Sequence, residues 1–198
     1  MTNKRVSLPD PADMNDAQLE VYNKVVSGPR KKLVGPLRAA LHNPALADRW
    51  QAFGQVLRYE TSLPPAMSEL AILVVGRHWN SELEWTIHAG EARKAGVDEG
   101  VIEAIRTCKL PDFTDPDQAG IYEFTRELLE VGRVSDANYT SVLNRWGEVA
   151  TVELTALVGY YSMVAMTLNA HQIPLPDTIP AELNSTPPSR TTLPSAKP

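Results

Sequence analysis

The segment from residue 66 to residue 79 constrains the fold of this chain more than any other part. After Glu69 it continues as LAILVVG over residues 70–76, which leaves almost no polar side on a helix. A helix that is apolar nearly all round must be buried among other elements, because no face remains to meet water. We therefore expect helix 66–79 to lie at the centre of the protein.

The remainder of the chain shows helical periodicity and lacks the alternating pattern that is typical of strands. Asn15 or Asp16 is suited to cap the first helix, and Gly96 is suited to end the helix that begins at Asn80 or Ser81. The predicted fold is therefore all-α. Besides 66–79, the predicted helices cover residues 16–27, 45–60, 81–95, 98–108 and 118–131, a short stretch ending near 146, and 147–170.

The length of 198 residues is enough for one domain with a sizeable core. We predict a single domain over residues 1–176. Residues 177–198 are rich in proline, and we expect this tail to be disordered or draped over a neighbouring subunit.

Composition also limits the partners and the cellular location. The net charge of −5 implies no large basic surface, so we expect no nucleic-acid partner. The N-terminal segment has no apolar secretory core, and the apolar runs are too short to span a bilayer. A single cysteine, Cys108, can form neither an intrachain disulfide nor a cysteine zinc cluster. These features predict a cytoplasmic protein without a membrane partner and without a bound metal.

The segment HWNSELEWTIHAGE, residues 78–91, concentrates the polar chemistry of the chain. Ser81, Glu84 and His88 are three and four residues apart, so they share one helix face. One interpretation is structural: Ser81 and Glu84 form a capping box, and Glu84 holds His88 one turn later. The other interpretation is that these residues form a catalytic site.

The catalytic interpretation depends on a tight turn at Asn80 that makes the two helices antiparallel. Glu69 lies eleven residues before Asn80 and His88 lies eight residues after it. At 1.5 Å per residue these separations are about 16 and 12 Å, so Glu69 can face His88 across the helix pair. A histidine beside two carboxylates in an apolar setting can act as a general acid or base.

Residues 44–106 resemble the carboxymuconolactone decarboxylase family, which includes the alkyl hydroperoxidase D-like proteins. The peroxidase branch has a glutamate, eleven residues, Cys-x-x-Cys, three residues and a histidine. Glu69, Ser81, Glu84 and His88 stand at those spacings. EWTIHAGEARKAGV (84–97) and IYEFTRELLEVGRVSDANY (121–139) are similar to this family as well. The resemblance implies an alkyl hydroperoxidase D-like helical domain with a central antiparallel helix pair.

The same resemblance implies a homo-oligomer, commonly a trimer or a hexamer. The apolar helix over residues 150–168 and the proline-rich tail are the expected interface elements.

Both redox cysteines of the peroxidase branch are replaced, by Ser81 and Glu84. A peroxidatic thiolate and its resolving partner are the mechanism of that branch, and neither is present in the motif. Hydroperoxidase or peroxiredoxin activity would follow from the family label alone and is disfavoured. Cys108 lies outside the motif and is expected to be a small core residue.

The decarboxylase branch implies a lyase that needs no cofactor and acts on a small cyclic carboxylate or lactone in aromatic-compound catabolism. In this interpretation His88 donates or shuttles the proton, Glu84 orients it and Glu69 sets its proton affinity, although either glutamate could be the acid. The predicted substrate-binding residues are Arg77, His78, Asn80, Ser81 and Trp85.

Arg77 is the nearest cation for an anionic substrate, and its alternative role is to complement the C-terminus of its helix. His78 and Asn80 could supply hydrogen bonds, and Trp85 would exclude water beside a planar substrate. The alternative function is that of a non-catalytic binding or assembly protein on the same scaffold.

Overall fold

The computed structural model describes residues 5–183 and 190–196. These residues contain helices and no strand, so the all-α prediction is confirmed. A 3-10 turn, Pro11–Asp13, precedes the first helix. One short helix, Gly35–Ala40, was not predicted. The helices are α1 Asp16–Ser27, α2 Gly35–Ala40, α3 Pro44–Tyr59, α4 Pro65–His78, α5 Glu82–Ala95, α6 Glu99–Arg106, α7 Pro116–Val131 and α8 Asp136–His171.

The chain divides into two compact units. Unit 1 comprises Met1–Thr61 and Thr167–Pro174, and unit 2 comprises Ser62–Met166 and Leu175–Pro198. Unit 2 contains α4 to α7 and most of α8, and it holds every residue of the predicted site. The single domain predicted for residues 1–176 stays a prediction.

Helix α4 forms the centre of unit 2, as its composition predicts. The side chains from Leu70 to Val75 are at most 1% exposed, so no side of the helix meets water. Three neighbouring helices, α5, α6 and α7, pack against it. Pro65 occupies the first turn of α4, where the missing amide proton costs no intrahelical hydrogen bond.

A tight turn joins α4 to α5 and makes the two helices antiparallel. Asn80 adopts the left-handed conformation, with φ at 49°, which asparagine tolerates better than most residues. The Ser81 amide donates to the Gly76 carbonyl at 2.9 Å, which ties the start of α5 to the end of α4. Gly96 ends α5 with φ at 90° and confirms the predicted C-terminal cap.

Helix α8 unites two predicted helices across a bend. Gly147, with φ at 80° and ψ at 177°, interrupts the helical geometry at the predicted junction. Among the described helices, α8 is the one long and apolar enough to cross a membrane by length and composition. Half of its most apolar window is buried inside the protein, a feature that it shares with ordinary core helices.

The described parts of the proline-rich tail lie on helices of their own chain. Leu183 and Leu193 are buried, at 7% and 2% exposure. The Leu193 amide donates to Glu130 of α7 at 2.9 Å, and the Tyr122 hydroxyl donates to the Pro194 carbonyl at 2.7 Å. The expectation of a disordered tail, or one draped over a neighbouring subunit, is wrong for these residues because they find buried partners in cis. Residues 184–189 and 197–198 of the predicted tail lie outside the described residues.

Two glycines of α5 give opposite predictions for substitution by alanine. Gly96→Ala should lower the free energy of unfolding by about 1 kcal/mol, because a Cβ is strained at positive φ. Gly90→Ala should raise it by about 0.5–1 kcal/mol, because Gly90 is helical and a Cβ there meets nothing within 4 Å. Urea denaturation measures both, and equal effects of the two substitutions would contradict the local geometry.

Candidate functional site

The geometric centre of the site is a direct contact between Glu69 and His88. Glu69 lies near the start of α4 and His88 lies in the middle of α5. His88 Nδ1 is 2.7 Å from Glu69 Oε2, which confirms the contact predicted from helical rise. Because a carboxylate accepts hydrogen bonds, Nδ1 carries the proton, and Nε2 is the ring nitrogen that can take up another.

Burial strengthens this contact while leaving the glutamate close to the surface. The His88 side chain is 5% exposed and the Glu69 side chain is 12% exposed. A hydrogen bond in such surroundings competes little with water, so the imidazole is held in one orientation. The Glu69 carboxylate therefore positions the His88 ring.

Tyr161 completes the surroundings of His88 and was missed by the sequence analysis. Its ring lies edge-on to the imidazole, with centroids 4.8 Å apart and an interplanar angle of 85°. Tyr161 is on α8, 73 residues along the chain from His88. Nothing in the apolar pattern of α8 distinguishes Tyr161 from its neighbour Tyr160, so no sequence signal could have identified it.

The predicted capping box is absent. Ser81 is the N-cap of α5, but its side chain makes no capping hydrogen bond. The Ser81 amide, which the Glu84 carboxylate would have to bind, already donates to Gly76. Ser81 Oγ and both carboxyl oxygens of Glu84 are buried and have no hydrogen-bond partner among residues 5–183 and 190–196. This structural interpretation of the two residues is wrong.

Glu84 is a buried carboxyl group in apolar surroundings. The residue is 2% exposed, and its Oε1 would lie 3.7 Å from a Cβ added at Gly76 of α4. Burial raises the pKa of Glu84 well above its ordinary value. Burial therefore favours the neutral, protonated form of Glu84, which can donate a proton.

The predicted role of Glu84 as the group that orients His88 is not supported. Neither Glu84 oxygen forms a hydrogen bond, whereas Glu69 binds the imidazole directly. The physical reason is that the Glu84 side chain lies against α4 at Gly76. Orientation of His88 therefore belongs to Glu69.

The residues at the α4–α5 turn form a separate polar cluster that the tail covers. Arg77 Nη1 donates to Asn80 Oδ1. Asn80 Nδ2 donates to Thr191 Oγ1 at 2.9 Å, and the Thr191 amide donates to the His78 carbonyl at 2.8 Å. Burial, followed by the nearby charge of Arg190, lowers the pKa of His78.

This cluster lies at the opposite end of the helix pair from the Glu69–His88 contact. Arg77 is eight residues beyond Glu69 on α4, a distance of about 12 Å along the helix. The structure therefore does not bring Arg77, His78 and Asn80 to the imidazole. The predicted site divides into two parts.

Trp85 belongs to the core. Its side chain is fully buried, at 0% exposure, and Nε1 donates to Glu182 Oε2 of the tail at 3.1 Å. The main-chain amide of Leu183 donates to Glu82 Oε1 at 3.0 Å beside it. Trp85 therefore secures the tail to α5, a contact that sequence spacing could not reveal.

Cys108 differs from its prediction as a core residue. It is half-buried and adopts a left-handed conformation, with φ at 57°, just after α6. It therefore lies in a turn that leads out of the core. Within residues 5–183 and 190–196, no group of three or more histidine, cysteine, aspartate or glutamate residues could hold a metal ion.

Comparison with solved structures defines the class of fold. An uncharacterized peroxidase-related protein from Silicibacter sp. TM1040 is 14% identical, with a TM-score of 0.68 over 91% of this chain and 94% of that one. An uncharacterized peroxidase-related protein from Ralstonia eutropha JMP134, described as an alkylhydroperoxidase AhpD core, is 13% identical, with a TM-score of 0.69 over 88% and 93%. The fold is therefore alkyl hydroperoxidase D-like, as predicted.

A third similar structure is the debrominase Bmp8, as a cysteine-to-alanine variant in complex with 2,3,4-tribromopyrrole. It is 12% identical, with a TM-score of 0.69 over 88% of this chain and 93% of that one.

Residues 44–118 match the model of the carboxymuconolactone decarboxylase family. The match includes the motif residues from Glu69 to His88, and the predicted family is confirmed over this stretch. No curated protein matches the sequence.

The buried carboxyl group predicts a specific pH dependence of stability. Unfolding lowers the pKa of Glu84 to its ordinary value of about 4.5, so the unfolded chain releases a proton that the folded chain keeps. The free energy of unfolding should therefore fall as the pH rises above 4.5, by up to about 1.4 kcal/mol per pH unit, until Glu84 ionises in the folded state. Glu84→Gln should remove this slope.

Urea denaturation between pH 4 and pH 8 measures the effect. Glu148→Gln is the matched control, because Glu148 is exposed and should leave the slope unchanged. Parallel pH profiles for wild type and Glu84→Gln would contradict the assignment of Glu84 as a protonated group.

Proposed function

We propose that this protein is a cofactor-independent lyase that acts on a small cyclic carboxylate or lactone by proton transfer, in the cytoplasm. The observation that carries the proposal is the 2.7 Å contact between His88 Nδ1 and Glu69 Oε2 in nearly closed surroundings. A carboxylate on one ring nitrogen fixes the tautomer and stabilises the imidazolium that forms when the other nitrogen takes up a proton.

Such a reaction also requires a group that can donate a proton, and Glu84 is the candidate. It lies one turn before His88 on α5, and its burial raises its pKa and so favours the neutral form. Two carboxyl groups in different environments can divide their roles, because one accepts a hydrogen bond and the other keeps a proton. In the proposed site Glu69 positions the base and Glu84 holds a transferable proton.

The proposed reaction is a decarboxylation followed by protonation. Breaking the carbon–carboxylate bond releases CO2 and leaves its electron pair on the ring, where an unsaturated lactone can delocalise it. Glu84 then gives its proton to that carbon, either directly or through His88 Nε2, which takes the proton up and passes it on, and the Glu84 carboxylate regains a proton from water. Arg77 is not assigned to the substrate carboxylate, because its guanidinium donates to Asn80 at the far turn.

A small cyclic ligand is compatible with what related folds accommodate. The debrominase of similar fold was solved with 2,3,4-tribromopyrrole, a substituted five-membered ring. That complex concerns the debrominase alone, but it supports the choice of small cyclic compounds as the first substrates to test.

A non-catalytic binding or assembly protein is the second candidate. The low exposure of His88, 4% of the residue, favours it, since a buried imidazole can serve packing alone. The two candidates differ in whether His88 is needed for turnover.

Substitution of His88 distinguishes the lyase from the non-catalytic binding protein. Purified wild-type protein should be screened against carboxylated lactones and quinone-like compounds, with CO2 release and ultraviolet absorbance as readouts. His88→Gln should lower kcat by about 10²- to 10⁴-fold, the usual contribution of a general acid or base. Glu69→Gln should lower it by about 10- to 100-fold, because an orienting partner is lost.

His42→Gln is the matched control, since His42 is an exposed histidine bonded to Ser7 outside the site. It should retain wild-type turnover. A folded His88→Gln protein with unchanged turnover would exclude the catalytic role of His88.

Peroxidase activity should be absent. With Ser81 and Glu84 in place of the two motif cysteines, the chain has no thiol pair for the peroxidase cycle. Consumption of an alkyl hydroperoxide with a thiol donor should equal that of the Cys108→Ser variant and of buffer. Turnover that disappears in Cys108→Ser would contradict this prediction.

A further inference from the structure

The segment from residue 190 to residue 196, called the strap below, has no helix or strand of its own. Its main chain is held by carboxylates of α7: Glu130 accepts from the Leu193 amide at 2.9 Å, and Glu123 accepts from the Ala196 amide. Leu193 is the side chain that the strap buries, at 2% exposure. A segment with so few contacts opens at a lower free energy than the helices beneath it.

The strap lies on His78, the last residue of α4. The Thr191 amide donates to the His78 carbonyl at 2.8 Å. His78 is 4% exposed, and its Nε2 is buried without a hydrogen-bond partner in the described part of the chain. A proton on Nε2 would therefore place a charged N–H group in buried surroundings that offer it no acceptor.

Positive charges close to the ring oppose protonation as well. Arg190 of the strap lies 5.9 Å from the centroid of the Trp79 ring, which meets the His78 ring edge-on at 5.1 Å. Arg77 precedes His78 on α4. A positive imidazole in the closed form would therefore face a like charge that the strap itself carries.

The negative charge that faces the ring is Glu130 of α7, and it is already engaged. Arg126 Nη1 donates to it at 2.8 Å, and a main-chain amide of the strap donates to its other oxygen. Burial and the charge of Arg190 lower the pKa of His78, whereas Glu130 and a hydrogen bond with the Thr191 main chain raise it by less. The closed strap therefore favours the neutral imidazole.

We propose that the strap is a pH-sensitive cover of the α4–α5 turn and that protonation of His78 releases it. When the strap lifts, Nε2 meets water and Arg190 moves away, so the imidazole takes up a proton without the cost that it meets in the closed form. The open form therefore binds the proton more tightly than the closed form, and acid favours opening.

The pH range of release follows from the same difference. The uncovered imidazole has its ordinary pKa of about 6.5, and the pKa of the covered imidazole is lower. Opening should therefore increase as the pH falls below about 6.5, by up to about ten-fold per pH unit, until the covered imidazole is protonated too. Above this range both forms are neutral, and the strap stays closed.

Opening would change the surface at the turn. Asn80 Nδ2 donates to Thr191 Oγ1 at 2.9 Å in the closed form, and Arg77 Nη1 donates to Asn80 Oδ1 beneath it. Release would bring this polar cluster into contact with water. The proposal is independent of the proposed function, because it uses none of Glu69, Glu84 and His88.

Hydrogen exchange of the full chain, followed by mass spectrometry between pH 7.5 and pH 5.0, measures the opening. The protection factor corrects for the intrinsic effect of pH on exchange. It should fall by about three-fold or more for the strap amides of Thr191 and Leu193. Protection of residues 121–125 in α7 should not fall. A strap whose protection is constant or rises with acid would overturn the proposal.

Two variants identify the group that responds to pH. His78→Gln keeps a neutral polar side chain and should abolish the fall in strap protection, whereas His42→Gln, at an exposed histidine, should retain it. Arg190→Gln, at an exposed position, should reduce the fall by at least half and keeps the test decisive if His78→Gln does not fold. A full wild-type fall in folded His78→Gln, or in Arg190→Gln, would overturn the assignment of His78.

Chemical modification tests whether the strap covers His78. Diethyl pyrocarbonate modifies accessible neutral imidazoles, and peptide mapping reports each histidine separately. At pH 7, Leu193→Asp should raise the rate at His78 about ten-fold, because a charge cannot remain at this buried position, and should leave the rate at His88 unchanged. Leu110→Asp, at a residue that is 50% exposed, is the matched control and should change neither rate. A folded Leu193→Asp protein whose His78 reacts at the wild-type rate would overturn the covering role.

Discussion

The complete burial of α4 is the constraint on which the rest of unit 2 depends. Because no side of this helix can face water, three helices must pack around it, and polar residues are confined to its ends. Glu69 lies near one end and the Arg77–Asn80 cluster at the other. The separation of the Glu69–His88 contact from the turn residues follows directly from this arrangement.

Helix α5 supplies the polar side chains that pack against α4. Its face toward α4 carries Ser81, Glu84 and His88, and each meets a different local environment. His88 reaches Glu69 and gains a strong hydrogen bond, whereas Glu84 meets Gly76 and gains none. The same residue type, glutamate, therefore accepts a hydrogen bond in one position, whereas burial raises its pKa and favours its neutral form in the other.

Two long-range elements contact the α4–α5 helix pair in different places. The tail covers the α4–α5 turn through hydrogen bonds to Glu82, Trp85 and the main chain of His78. Helix α8 packs Tyr161 edge-on against the His88 ring. Each of the two parts of the predicted site is therefore contacted by a segment that is far from it in sequence.

The sequence by itself determined the helices, the antiparallel pair and the contact between Glu69 and His88. These features depend on helical period, helical rise and capping residues, which act over a few residues and are readable from spacing. Tertiary structure decided which side chains are buried and which hydrogen-bond partners they meet, and residue spacing could not show this. The capping box at Ser81 failed because the Gly76 carbonyl takes the amide that Glu84 would need, and the tail, Trp85 and Tyr161 found partners tens of residues away. Burial and hydrogen-bond partners depend on which distant segments meet, and a local pattern does not contain that information.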